Sequence, residues 1–93
     1  MFRITVSENY DGHVVGWFDV DTAQKIERNN STEVLYYTKK RTWILYRRNN
    51  RYTKITTQTA FNYLLEHELE INDVDFDKGV VNEYKIFLAE KEL

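Results

Sequence analysis

The sequence predicts an α+β fold: about five antiparallel strands in the order β-β-α-β-β-β-α-α, with the helices packed on one face. Three observations carry this. Short runs with period-two hydrophobicity recur through the first sixty residues, tight-turn dipeptides separate several of them, and the last third switches to helical spacing.

FRITVS alternates Phe2, Ile4 and Val6 with Arg3, Thr5 and Ser7, the pattern of a strand with one buried face. Asp11-Gly12 is a strong hairpin signal, and HVVGWFDV reads as the returning strand, with Gly16 marking a bulge or a close packing contact. DTAQKIERNN predicts a short helix: Asp21 is the N-cap, Gln24 stands at capping-box spacing, Val20, Ala23 and Ile26 form a narrow stripe, and Asn29-Asn30 end it.

EVLYYT, RTWILYR and RYTKITT then form a meander joined at Lys39-Lys40 and Asn49-Asn50, asparagine being tolerant of positive φ. TTQTAFNYLLEHE sets Ala60, Phe61, Leu64 and Leu65 at helical spacing behind a Thr56 or Thr57 cap. DKGVVNEYKIFLAEKEL does the same with Val80, Val81, Tyr84, Phe87 and Leu88 behind Asp77.

At 93 residues and 42% apolar content, one domain spanning 1–93 with a single core is expected, and intrinsic disorder is not. The absence of cysteine excludes disulfides, thiolate metal sites and a cysteine nucleophile, and fits a reducing cytoplasm. No apolar run has signal-peptide or membrane-spanning length, so no membrane association is expected.

Charge is unevenly placed. The net charge is only -2, yet seven of the 13 basic residues fall within 39–54 and six acids within 66–77. In the basic stretch, Lys39, Lys40, Arg41, Arg47, Arg48, Arg51 and Lys54 interleave with Trp43, Tyr46 and Tyr52. Strand alternation sends Trp43, Leu45 and Arg47 one way and Ile44, Tyr46 and Arg48 the other. The result is a buried base and a cationic tip able to grip phosphates or an acidic protein surface. The competing reading is that these cations only discourage edge-to-edge aggregation of exposed strands.

In the acidic stretch, Glu66, Glu68, Glu70, Asp73, Asp75 and Asp77 alternate with Leu69, Ile71, Val74 and Phe76. An extended segment would display carboxylates about 7 Å apart, close to the phosphate spacing of a nucleic-acid strand. The competing reading is an acid-rich connector capping the next helix. Asp73-x-Asp75-x-Asp77 lacks the glycine and glutamate of a calcium loop, since Lys78 and Tyr84 stand at those positions.

His13 and His67, with Ser7 and Ser31, form no nucleophile or metal motif, and the three glycines make no phosphate loop. No catalytic residue, metal or cofactor is expected. A metal-free ribonuclease needs no such signature and stays as a third reading, although small toxin ribonucleases are typically basic.

Gly16 to Asp19 (G-W-F-D), Leu35, Tyr36 and Thr38 (L-Y-x-T), Trp43 and Leu45 (W-x-L), Tyr52 and Ile55 (Y-x-x-I), and Ala60, Leu64 and Leu65 (A-x-x-x-L-L) resemble a motif order in a group of small bacterial proteins. The likeness spans roughly 14–67 and implies no activity; where that group has a glycine-rich turn, Lys39-Lys40 stands here. In size and style the chain is similar to inhibitors from phages and mobile elements, such as anti-CRISPR proteins. That likeness implies a cytoplasmic, non-catalytic protein that binds a host protein or ribonucleoprotein complex. The basic hairpin (with Tyr52) and the acidic segment are its expected contact surfaces. The alternative is a nucleic-acid-binding or toxin-antitoxin-type regulator using residues 39–54. Both readings leave monomer or dimer open.

Overall fold

A computed structural model describes residues 3–8, 13–27, 32–47, 51–71 and 76–93. It contains six strands, β1 (Arg3–Ser7), β2 (Val14–Asp19), β3 (Gln24–Glu27), β4 (Val34–Tyr37), β5 (Trp43–Arg47) and β6 (Arg51–Ile55), followed by helices α1 (Thr57–Glu66) and α2 (Lys78–Lys91). They form one six-stranded sheet of order β2-β1-β6-β5-β4-β3 with two helices, an α+β fold. All neighbours are antiparallel except β1 and β6, which run parallel where Ser7 meets Thr53. The sheet is therefore mixed, with one strand more than expected.

The additional strand replaces the short helix expected over DTAQKIERNN. Asp19 organises a turn instead: its carboxylate accepts the Asp21 N–H at 3.0 Å and its carbonyl accepts the Ala23 N–H at 3.2 Å. Gln24 to Glu27 then pair with Tyr37 to Val34. A helix of this length is marginal in water unless packing supports it. Pairing with β4 satisfies the same backbone groups and still turns Ile26 into the core. The residues that suggested a helical stripe divide between the two faces of the sheet, Ala23 and Val20 on one and Ile26 on the other. The expected terminators Asn29-Asn30, like the turn residues Asp11-Gly12 and Asn49-Asn50, lie outside the described residues.

β4 and β5 are neighbouring interior strands of the sheet, and their uninterrupted apolar runs are explained by burial on both faces. Leu35, Tyr37, Trp43 and Leu45 point to the helices, where Ala60, Phe61, Tyr63, Leu64, Val80, Val81, Tyr84 and Phe87 meet them. Trp43 is 1% exposed at the middle of this layer, 4.6 Å from Tyr37 and stacked on Phe76 at 6.2 Å between ring centroids. Tyr63 takes the buried place expected for Leu65, which is exposed, because the Tyr63 hydroxyl can donate to Glu33 Oε1 at 3.2 Å. Leu88 also lies at the solvent margin. Thr56 caps α1 by accepting the Thr59 N–H at 3.1 Å, and Asp77 caps α2 by accepting the Gly79 N–H at 2.7 Å.

The opposite face is covered by the chain's own first hairpin. In a flat sheet β2 and β4 would lie about 19 Å apart, four strand spacings. Yet Phe18 on β2 sits 5.2 Å from the Tyr36 ring on β4 and 5.8 Å from Tyr52 on β6. The sheet must therefore bend sharply at the short β1–β6 contact, laying β1–β2 across the back of the meander. Val6, Phe18, Tyr36 and Ile44 form this second core, with Tyr46 and Tyr52 at its edge. A β-bulge helps the bend: Val6 pairs with Gly16 but Ser7 with Val14, so Val15 is the extra residue. Gly16 thus stands beside the bulge, with no close packing contact around it.

Candidate functional site

The fold separates the basic stretch into two groups. Cross-strand partners share a face, so Arg47 and Arg51, which pair with each other, lie on the helix side of the β5–β6 tip. Arg47 Nε is 3.7 Å from Glu33 Oε2, the carboxylate that also accepts from Tyr63 of α1. The tip is thereby tied to α1; Arg48 lies outside the described residues. Tyr52, expected at the contact surface, instead packs into the second core against Phe18, Tyr36 and Tyr46. Burial raises its hydroxyl pKa, with the Tyr46 hydroxyl adding to the effect.

Lys39, Lys40 and Lys54 lie at the other end of the meander. Lys54 pairs with Ile44 on the back face, and Lys39 and Lys40 are in the β4–β5 turn. Together they edge a cleft of about 540 Å³ that runs between this turn and β2. Val6 and Ile44 contribute apolar lining, and Val15, Gly16 and Trp17 of β2 line the cleft as well. Trp17 is 56% exposed, and the Arg3 guanidinium covers its ring from 5.0 Å. Thr38 and Thr42 add hydroxyls; Asp19, also lining the cleft, has its carboxylate engaged by the Asp21 N–H. Among the described residues no ion pair engages Lys39, Lys40 or Lys54. The cleft therefore combines uncompensated positive charge with exposed apolar surface, and suits an acidic ligand that also has apolar groups.

Arg41, from the same turn, faces away from this cleft. It has φ 62°, the left-handed position closing a turn in which the Arg41 N–H donates to the Thr38 carbonyl at 3.0 Å. Its surroundings are two smaller concavities on the helix side, of about 430 and 220 Å³, which both touch Tyr37 and Asp77. Burial raises the Tyr37 pKa while Arg41 pulls it the other way. The smaller concavity is also lined by Trp43, whose buried Nε1–H has no acceptor among the described residues.

The acidic segment does not form an even ladder. Glu66 belongs to the last turn of α1, and Glu68 has φ 55°. Beyond it the Leu69 N–H returns to the Leu64 carbonyl at 2.9 Å, the reverse turn that commonly closes a helix. A regular carboxylate spacing from residue 66 is therefore broken by the helix end. Glu68 and Glu70 are exposed, Leu69 is half-buried and Ile71 and Phe76 are buried, whereas Asp73, Val74 and Asp75 lie outside the described residues. Asp77 is occupied as the α2 cap.

His67 closes α1 and packs edge-on against Tyr63 at 4.5 Å, while His13 is exposed. Among the described residues, no group of three His, Cys, Asp or Glu is placed to hold a metal ion, and no helix is long and apolar enough to cross a membrane.

Sequence reasoning missed the β2 side of the cleft. Its signal was the pair Trp17-Phe18, two large aromatics that must point to opposite faces of one strand. A terminal strand that is apolar on both faces has one of them uncovered unless something docks there. Compared with protein-family models, curated proteins and solved structures, the chain matches none.

Proposed function

We propose that this chain is a non-catalytic binding protein that docks on a host macromolecular complex and blocks or modulates it, in the manner of phage and mobile-element inhibitors such as anti-CRISPR proteins. The observation that carries this reading is the lysine-edged cleft. Three lysines without ion pairs among the described residues flank Val15 and Trp17, which are exposed apolar groups. Exposed charge of one sign is inexpensive in water, but an exposed tryptophan and valine beside it lose contact with water only when a partner covers them. Such a mixture favours a protein surface over bare phosphate, because aromatics anchor protein interfaces while lysines steer an acidic partner into place.

A nucleic-acid partner is the second reading, favoured by the same lysines and by the exposed Trp17 ring. Photo-crosslinkers placed at Lys40 and, as a control, at Lys85 of α2 separate the two in host lysate. Crosslinking of one protein complex at Lys40 alone, abolished by Lys39→Glu plus Lys54→Glu, is the expected result. Titration with labelled DNA and RNA at low salt tests the second reading. Lysine-dependent binding there, without a protein crosslink, would overturn the first.

A further inference from the structure

Among the described residues, one buried side-chain polar atom has no hydrogen-bond partner: Nε1 of Trp43, in a residue that is 1% exposed. An indole N–H can only donate. Native proteins seldom leave such a donor orphaned, and the usual resolution is an acceptor from outside the chain. Trp43 lines the concavity of about 220 Å³ between the β4–β5 turn and the start of α2. Arg41 lines the same space from the sheet side, Asp77 and Glu83 from the helix side. These opposite charges share one small space, yet among the described residues no ion pair joins them. The walls therefore stand far enough apart for something to sit between them.

The Tyr37 hydroxyl reports the same convergence. Burial raises its pKa, Arg41 lowers it, and Asp77 and Glu83 raise it again. Asp77 spends Oδ1 on the Gly79 N–H at 2.7 Å, which leaves Oδ2 for a second donor. Arg41 is held at φ 62°, a conformation that is strained for a side-chain-bearing residue and that recurs at ligand sites. The larger concavity of about 430 Å³ adjoins the first, sharing Tyr37, Arg41 and Asp77 with it.

The geometry points to a binding site for a small zwitterion of the free α-amino-acid class, seated between the β4–β5 turn and the start of α2. The ligand's carboxylate accepts from the Trp43 Nε1–H and the Arg41 guanidinium, and its ammonium group faces Asp77 and Glu83. Its side chain extends into the larger concavity, among Thr22, Gln24 and Phe76. Charge decides the class. A simple anion would meet two carboxylates against one guanidinium, and a simple cation would leave the Trp43 donor unmatched. Drug-sized ligands occupy about 300–1,000 Å³, so the smaller concavity suits a ligand of few atoms. The site lies on the helix side of the β4–β5 turn and is independent of docking at the lysine-edged cleft.

The test follows the donor itself. Trp17 and Trp43 are the two tryptophans, so a ¹⁵N-labelled sample shows two indole N–H signals, assigned with Trp17→Phe. The intact protein is titrated with glycine, serine, glutamine and leucine, and with acetate and methylammonium as half-ligands, each to about 10 mM, enough to fill most of a site with a Kd of about 1 mM. At least one amino acid should move the Trp43 signal downfield and saturably while Trp17 stays in place. Both half-ligands should bind about tenfold more weakly or worse, since each lacks one charged contact. Arg41→Gln and Asp77→Asn should weaken binding by a similar factor with Tm little changed, asparagine being an equally good cap. A Trp43 signal that no amino acid moves would overturn the proposal, water then being the acceptor. Acetate binding as tightly as the amino acids would replace the zwitterion site with an anion site. Undiminished binding in both variants would put the ligand elsewhere and sink the assignment.

Discussion

Replacing Phe18 by alanine tests whether the first hairpin is integral to the fold or an appendage. Phe18 is 5% exposed and touches rings from two strands of the meander, Tyr36 at 5.2 Å and Tyr52 at 5.8 Å. Removing a buried phenylalanine costs about 3–5 kcal/mol, the transfer energy of the ring plus the cavity it leaves. Because Tyr52 is only half-buried, the site can partly collapse, and a loss of about 3 kcal/mol is expected. At about 0.05–0.15 kcal/mol per residue the whole domain has about 5–14 kcal/mol, so this is a large fraction. It corresponds to a fall in Tm of about 12–24 °C, or a urea midpoint lower by about 2 M for a slope near 1.5 kcal/mol/M. The assay is urea unfolding in a Trp17→Phe background, where fluorescence comes from Trp43 alone, in the helix-side layer. If the hairpin and the meander fold as one unit, Trp43 reports the full loss although it lies on the far side of the sheet. A loss below about 1 kcal/mol would refute the bent-sheet reasoning, since a buried ring cannot be deleted so cheaply.

Two further predictions concern stability alone. Burial raises the pKa of Tyr36, Tyr37, Tyr52 and Tyr84 above the ordinary value of 10.0. Above pH 10 the unfolded chain releases phenolic protons that the folded chain retains, so it binds fewer protons and stability must fall as pH rises. Urea midpoints should be insensitive to these groups between pH 7 and 9 and drop from pH 10 upward; a flat profile to pH 11.5 would contradict the burial of these hydroxyls. Arg41→Gly should stabilise the fold by about 1 kcal/mol, because a non-glycine residue at φ 62° is strained by about 1–2 kcal/mol and glycine returns part of that as entropy. Destabilisation in the same urea assay would show that the Arg41 side chain, through its surroundings at Tyr37 and Asp77, outweighs the strain.

Much of the architecture was legible because its causes are local. Peptide geometry alternates side chains along a strand, so Trp43 and Leu45 had to oppose Ile44 and Tyr46 wherever the strand lay. Asp77 and Thr56 announced their helix starts because a cap needs only a short side chain and the next two or three N–H groups. The helix expected at 21–30 failed for the converse reason. Val20, Ala23 and Ile26 satisfy a helical spacing, and nothing nearby reveals that β4 offers its edge to the same backbone.

The candidate site was half legible. Lys39, Lys40 and Lys54 stood out as charge, but their separation from Arg47 and Arg51 depends on which side of the meander each faces and on what occupies that side. Chain chemistry by itself determined the α+β class, the strand faces, the capped helices and the imbalance of charge. Tertiary structure alone decided that β1 joins β6, bringing residues some 45 positions apart together through Ser7 and the Tyr52 carbonyl. That single parallel contact lays the first hairpin over the back of the sheet, half-buries Tyr52 and opens a cleft beside three lysines. Contacts so distant in sequence leave no periodicity behind them, because they are selected by the fit of whole surfaces and not by the geometry of neighbouring residues.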